Sequence, residues 1–149
     1  MKKVAVALLG ILAVSSVQAD ELSVVGHGFS KHLDNHNFNE RNYGVGLRYE
    51  NENYGLQMGG YRNSLRKESF YAGMDVSPIN FNIDRCFNFQ AGLFAGGATG
   101  YKYTVTPMAG AQAAIRCKDL FVRIRVMPDP YYNAKIVGAV EFGLVLMKF

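Results

Sequence analysis

From Tyr43 to Tyr49 every odd position is apolar or aromatic, and Gly44, Gly46 and Arg48 stand between them. Successive side chains of an extended strand leave on opposite faces. The stretch therefore predicts a strand with one greasy face and one small or charged face. Asn51-Glu52-Asn53 reads as a tight turn, after which Tyr54, Leu56 and Met58 take one face and Gly55, Gln57, Gly59 and Tyr61 the other. The two runs form a hairpin signal. The alternation then repeats downstream. Phe70, Ala72, Met74 and Val76 oppose Ser69, Tyr71, Gly73, Asp75 and Ser77. Phe87, Phe89, Ala91, Leu93 and Ala95 oppose Asn88, Gln90, Gly92, Phe94 and Gly96. Val105, Ala109, Ala111, Ala113 and Ile115 oppose Thr104, Thr106, Gln112 and Arg116. Leu120, Val122, Ile124 and Val126 oppose Phe121, Arg123, Arg125 and Met127. With Leu22 to Leu33 ahead and Lys135 to Phe149 behind, eight candidate strands result. The first is weakly patterned, and the last is apolar on both faces except at Glu141 and Lys148. Helical periodicity is absent here, and each glycine of Gly59-Gly60 or Gly96-Gly97 would cost a helix about 1 kcal/mol.

The expected fold is all-β: an eight-stranded antiparallel up-and-down β-barrel of the outer-membrane type. In such a barrel the apolar face meets lipid and the polar face fills the interior. A soluble lipocalin-like carrier would reverse the two faces. The polar set is Arg48, Glu50, Asp75, Arg116, Arg123, Arg125 and Glu141. Inside a closed lumen these groups would have to pair, since a lone buried charge is costly. Glycines fall mostly on the same face, as they must where a narrow lumen has to admit arginines. Aromatics gather at strand ends: Tyr49 with Tyr54, Tyr101 with Tyr103, Tyr131 with Tyr132. Membrane barrels carry such girdles at both interfaces. The chain ends on Phe149, with Met147 and Val145 at alternate positions before it, which resembles the C-terminal signal of bacterial outer-membrane barrels. Glu141 shares the phase of Phe149, so the facing of the last strand stays open.

The N-terminus fits export. Met1-Lys2-Lys3 precedes the uncharged run Val4 to Val14, and Val17-Gln18-Ala19 offers small residues where a signal peptidase reads. The run is too short for a spanning helix, which needs roughly 20 residues. A Sec signal over 1–19 is expected, leaving 20–149 as one β-barrel domain in the outer membrane. Loss of Lys2 and Lys3 lowers the formal net charge from +4 to +2, too little surplus to argue for nucleic acid. Outer-membrane lipid is the expected surrounding partner, with the outer loops left for extracellular protein or lipopolysaccharide. No cofactor is expected.

With both termini in the periplasm, residues 32–41, 63–67, 97–102 and 128–134 become outer loops, and 51–53, 79–84 and 118–119 become periplasmic turns. Two cysteines in an exported chain suggest one disulfide. A hairpin centred near Tyr101-Lys102 would place Cys86, at the start of strand five, across from Cys117. The faces conflict, with Cys86 on the polar phase and Cys117 on the apolar one. A bulge would reconcile them, and a free pair would also fit.

The outer rim collects His27, Ser30, His32, Asp34, His36 and Glu40, then Ser64 in "YRNSLRKES". A His–Ser–carboxylate set beside the membrane is the chemistry of acyl transfer, so His27, Ser30, His32 and Ser64 are the catalytic candidates. Small outer-membrane palmitoyltransferases and lipid A deacylases use such sets, but their local motifs are not recognisable here. The bland alternative is water-facing loop polarity. His32 and His36 would suit a metal only on a helix, and Asp34-Asn35-His36-Asn37 reads as a turn. No metal site is expected.

"HGFSKHLDNHNFNERNYGVGLRYENENYGLQMGGYRNSLRKESFYAGMDV", His27 to Val76, resembles a family of small exported proteins from tailed phages and proteobacteria. Its members show a His-Gly-x-Ser-Lys-His start, an Asn-Glu-x-Asn-x-Gly-x-Gly segment and a Tyr-x-Asn-Ser hairpin. "ATGY", Ala98 to Tyr101, matches a further element. The resemblance implies export and a barrel, and assigns no activity or site residue.

N-terminal sequencing of the exported protein is expected to begin at Asp20. A protein that retains Met1 would overturn the cleavage.

Overall fold

The computed structural model describes residues 21–33, 37–51, 53–129 and 134–149. The expected signal segment, Asp34, His36, Tyr131 and Tyr132 lie outside the described residues. The strands are β1 (Glu21–Leu33), β2 (Arg41–Glu50), β3 (Tyr54–Arg62), β4 (Glu68–Asn82), β5 (Phe87–Ala98), β6 (Thr106–Cys117), β7 (Leu120–Asp129) and β8 (Ala134–Lys148). Each pairs antiparallel with its sequence neighbour and β8 returns to β1, closing an up-and-down barrel of eight strands. Short turns join β2 to β3, β4 to β5 and β6 to β7 at the end that also holds both ends of the barrel. The β3–β4 and β5–β6 loops, 63–67 and 99–105, lie at the other end.

The period-two faces fall as the alternation demands. Val45 (61 % exposed), Leu47 (51 %) and Ile124 (50 %) stand on the outer wall, and Leu56 and Val122 are exposed beside them. Arg123 is 1 % exposed in the lumen. Among the described strand residues, the outward charges Lys31, Arg41, Arg62 and Glu68 cluster at the loop end. Below them runs an apolar band built from residues such as Met58, Leu93, Ile115 and Phe142.

Bulges account for the strands whose pattern was weak. Opposite β8, β1 passes from His27↔Glu141 to Phe29↔Val140, so Gly28 is an extra residue. Ser23, Val25 and His27 point inward before it, and Ser30 and His32 after it. Near the C-terminus Leu22 pairs with Met147 and Ser23 with Val145, which makes Leu146 an extra residue. That step lets Glu141 and Val145 face the lumen while Met147 and Phe149 face outward, and it fixes the facing of the last strand. A third bulge lies on β4, where Val76 faces Leu93 but Ile79 faces Ala91. It contains Pro78, a residue tolerated in sheets at such irregularities. The bulge carries β4 on to Asn82, so the expected turn over 79–84 is shorter and later, at 83–86. Similarly Val105 belongs to the loop before β6 rather than to the strand.

In that turn Asp84 Oδ1 accepts hydrogen bonds from the backbone N–H groups of Phe87 (2.8 Å) and Cys86 (2.7 Å). These bonds hold its carboxyl below the ordinary aspartate range. Cys86 is bonded to Cys117, with the two Cα atoms 4.8 Å apart. Phe87 is the residue opposite Cys117, so Cys86 sits in the turn, not at the start of β5. No alternation applies there, and the conflict of faces disappears without a bulge.

Close approach leaves no room for a side chain at several glycines, and at two of them the obstacle is a lumen side chain. A Cβ on Gly55 would run into the Arg48 guanidinium, and one on Gly143 into the Phe121 ring. Gly143→Val is expected to cost about 1–3 kcal/mol through overpacking, read as a lower urea midpoint. An unchanged midpoint would show that the ring has room to move.

Candidate functional site

The lumen divides into a filled half and an open half. The turn-end half is filled by ion pairs. Arg48 on β2 grips Asp75 on β4 in a bidentate fork, Nη1 to Oδ1 at 2.6 Å and Nη2 to Oδ2 at 2.9 Å, while its Nε donates to Glu50. Bidentate geometry of this kind belongs to the stronger hydrogen bonds. Arg116 on β6 joins Glu21 and Glu50 near the turn end. Arg123 lies 3.5 Å from Glu50 and 3.8 Å from Glu141. Arg125 on β7 reaches Glu141 at 3.0 Å and Asp75 at 3.6 Å, and donates to Gln57 Oε1 at 3.0 Å. Gln57 in turn donates to Glu141 Oε1 at 3.1 Å and to the Tyr71 hydroxyl at 3.0 Å.

Every interior charge expected from the sequence is thus in the lumen: Arg48, Glu50, Asp75, Arg116, Arg123, Arg125 and Glu141. Glu21 joins them and was missed, although Glu21, Ser23 and Val25 alternate with Leu22 and Val24. With Glu21 added, four guanidiniums face four carboxylates. Arg123 Nε and Nη1 find no hydrogen-bond partner. Its guanidinium instead lies 5.0 Å from the centre of the Phe121 ring, with Arg116 5.2 Å from the same ring. Arg125 lies 5.0 Å from the Phe94 ring. Aromatic faces substitute for acceptors that a narrow lumen has no space to supply.

Above Arg125 and Glu141 the lumen opens into a cavity of about 480 Å³, within the range of small-molecule sites. Its flanks differ. β1 to β4 contribute His27, Ser30, His32, Asn42, Tyr61 and Tyr71, and β6 to β8 contribute Met108, Met127, Val137 and Ala139. Ser64, from the β3–β4 loop, and Tyr101, from the β5–β6 loop, also reach it. The catalytic candidates His27, Ser30, His32 and Ser64 therefore share one cavity, but the first three stand on strand β1 facing inward, not on rim loops. Tyr101, expected in an aromatic girdle, turns inward to meet the Tyr61 hydroxyl at 2.8 Å.

The four candidates do not form a nucleophile–base pair. Ser30 Oγ donates to Asn42 Oδ1 at 2.6 Å. Among the described residues no hydrogen bond joins Ser30 or Ser64 to a histidine. His27 Nδ1 is 3.5 Å from Glu141 Oε1, and its ring packs edge-on against Tyr71 at 4.8 Å. His32 stacks on Phe38 at 4.3 Å. A serine nucleophile needs its base within about 2.6–3.2 Å, and that contact is not made here. Asn63 is a further residue that sequence reasoning left without a role. Fully buried, it accepts from the N–H groups of Leu65 and Lys67 and donates to Ser69 Oγ and Gly100 O, tying two loops together.

No protein-family model matches the chain, and no curated protein matches it.

Arg48→Met is expected to destabilise the barrel by about 3–5 kcal/mol, because Asp75 and Glu50 lose a buried partner. Adding Asp75→Leu should recover part of that loss. A double-mutant cycle by urea unfolding measures the coupling, and strict additivity would show that the fork is not a unit.

Proposed function

We propose that the protein is a small outer-membrane β-barrel whose lumen is sealed on the periplasmic side by its ion-pair network. The outer half then holds a cavity bordered by loops that contact molecules at the cell surface. The observation that carries this reading is the orientation of the wall: an apolar belt outside, paired charges within. Lipid favours that arrangement, and closing the sheet satisfies backbone groups that hydrocarbon cannot. A water-soluble carrier would need the reverse. Tyr43 on the loop side and Tyr49 and Tyr54 on the turn side are exposed on the outer wall, where headgroups would meet them. Arg48, Arg123 and Arg125 cross the lumen, so free conduction of solutes is not part of the proposal.

The reading is surface contact rather than catalysis, because Ser30 faces Asn42 and not a histidine. Lipid A from cells with and without the protein is expected to have the same mass spectrum. Loss or transfer of an acyl chain would replace this reading with a lipid-modifying enzyme.

Fractionation of expressing cells should place the protein with the outer membrane, and the unboiled protein should migrate anomalously on a gel. Leu47→Arg should lower the stability of the bilayer-folded protein by about 2–4 kcal/mol if Leu47 lies near mid-bilayer. Recovery in the soluble periplasmic fraction would sink the membrane reading.

A further inference from the structure

The hydrogen-bonded seam between β6 and β7 stops part-way up the cavity wall, with Gly110 and Met127 still in close approach just past its last rung. Their ladder runs from Cys117↔Leu120 up to Ala111↔Val126 and stops. Both strands continue beyond that point, bonded to their other neighbours. β6 stays paired with β5 as far as Thr106↔Ala98, and β7 with β8 as far as Asp129↔Ala134. This is therefore a break in one seam, not the fraying of two strand ends.

Prolines explain where the seam ends. In an antiparallel strand the N–H and C=O of a residue point to the same neighbour, and the side alternates. The Asp119 carbonyl accepts from Val145 on β8, and the Val126 carbonyl lies against Gly110 on β6. Even-numbered residues of β7 thus address β6, and Pro128 should supply the next rung, opposite Ala109. It has no N–H to give. On β6 the Thr106 carbonyl lies toward Gly97 on β5, so odd-numbered residues address β7. Pro107 occupies the rung after Ala109 and lacks a donor as well. Pro107, Met108, Ala109, Met127 and Pro128 all line the cavity.

We propose that this gap admits one hydrocarbon chain of an outer-leaflet lipid sideways into the cavity. The inference rests on the membrane-barrel reading above. Three features commit it to that occupant. The gap opens through the apolar belt, its exterior margin being Ala109, Val126 and Pro128. The cavity flank beside it is thioether and aliphatic: Met108, Met127 and Val137. The missing rungs lack proline donors, so the unzipped seam exposes fewer unpaired N–H groups to hydrocarbon than an ordinary strand edge would.

The chain contains no tryptophan, so a single introduced one reports alone. Met127→Trp, Val45→Trp and Phe121→Trp would be placed in vesicles of phosphatidylcholine brominated on its acyl chains, each first checked for folding by its heat-shifted migration. The tryptophans then sit in the cavity, on the outer belt and among the lumen arginines. Quenching at 127 is expected to approach that at 45 and to exceed that at 121 severalfold. Adding Pro107→Val and Pro128→Val, which restores both donors, is expected to weaken quenching at 127. Strong quenching at 45 with none above the 121 level at 127 would overturn lateral access while leaving the membrane barrel standing. No quenching at 45 would overturn both. Unchanged quenching after the two valine substitutions would overturn the gap as the route. If Met127→Trp does not fold, Met108→Trp on the facing strand makes the same measurement.

Discussion

A guanidinium held inside a narrow closed barrel cannot reach bulk water, and its charge must be answered within a few ångströms. That requirement organises the molecule. Arg48 is answered by Glu50 on its own strand and by Asp75 two strands away. Arg123 and Glu141 are register partners on β7 and β8, and Arg116 ties Glu50 to Glu21. A slip of one residue in any of these strands would send the charge to the outer wall and an apolar neighbour to the lumen. The network therefore specifies register as much as it fills space. Its stabilising worth relative to an apolar core is small, because desolvation consumes most of the Coulomb gain. What it enforces is a single arrangement, since breaking any member leaves a partner stranded.

The alternation that defined the wall was legible residue by residue, and it predicted eight closed strands with the correct faces on β2, β3, β5 and β7. Most of the interior charge set was legible for the same reason. What escaped was each place where the chain departs from a strict period of two. Gly28 inverts the phase of β1, which concealed that Ser30 and His32 face the lumen together with His27. Leu146 does the same on β8, which left open how Glu141 could face inward while Phe149 faces outward. Ser77-Pro78 lengthens β4 and moves the next turn. A bulge leaves little local trace in composition, because it is set by the ladder on the neighbouring strand. Asn63 escaped for a different reason: its partners Ser69 and Gly100 lie on separate segments that only the closed sheet brings together.

Candidate chemistry was the least legible level. Composition could gather His27, Ser30, His32 and Ser64 into one region, and the fold does bring them to one cavity. Spacing along the chain could not say which polar atoms touch. On β1 the rise between residues, about 3.3 Å, separates Ser30 from His27 and His32 along the strand, and the nearest partner for the serine comes from β2. Nucleophile and base would have had to come from neighbouring strands, a relation that depends on register and therefore on the same bulge that the sequence concealed.

The two halves of the barrel follow from one division of labour. At the turn end the wall is closed by ladders between every neighbouring pair of strands, a disulfide from the β4–β5 turn to β6, and the charges that brace the lumen from strand to strand. Those interactions hold β6 and β7 together from Cys117↔Leu120 to Ala111↔Val126. Among the described residues no network of paired guanidiniums and carboxylates braces the outer half, where the cavity takes its place and Pro107 and Pro128 withhold their donors. The hairpin is consequently anchored at one end and can stay unzipped at the other without loss of the fold, since each strand keeps its second neighbour. A barrel braced throughout its length would have no interior to offer, and one open throughout would have no register. Placing the charges low and the prolines high resolves that conflict in one short chain.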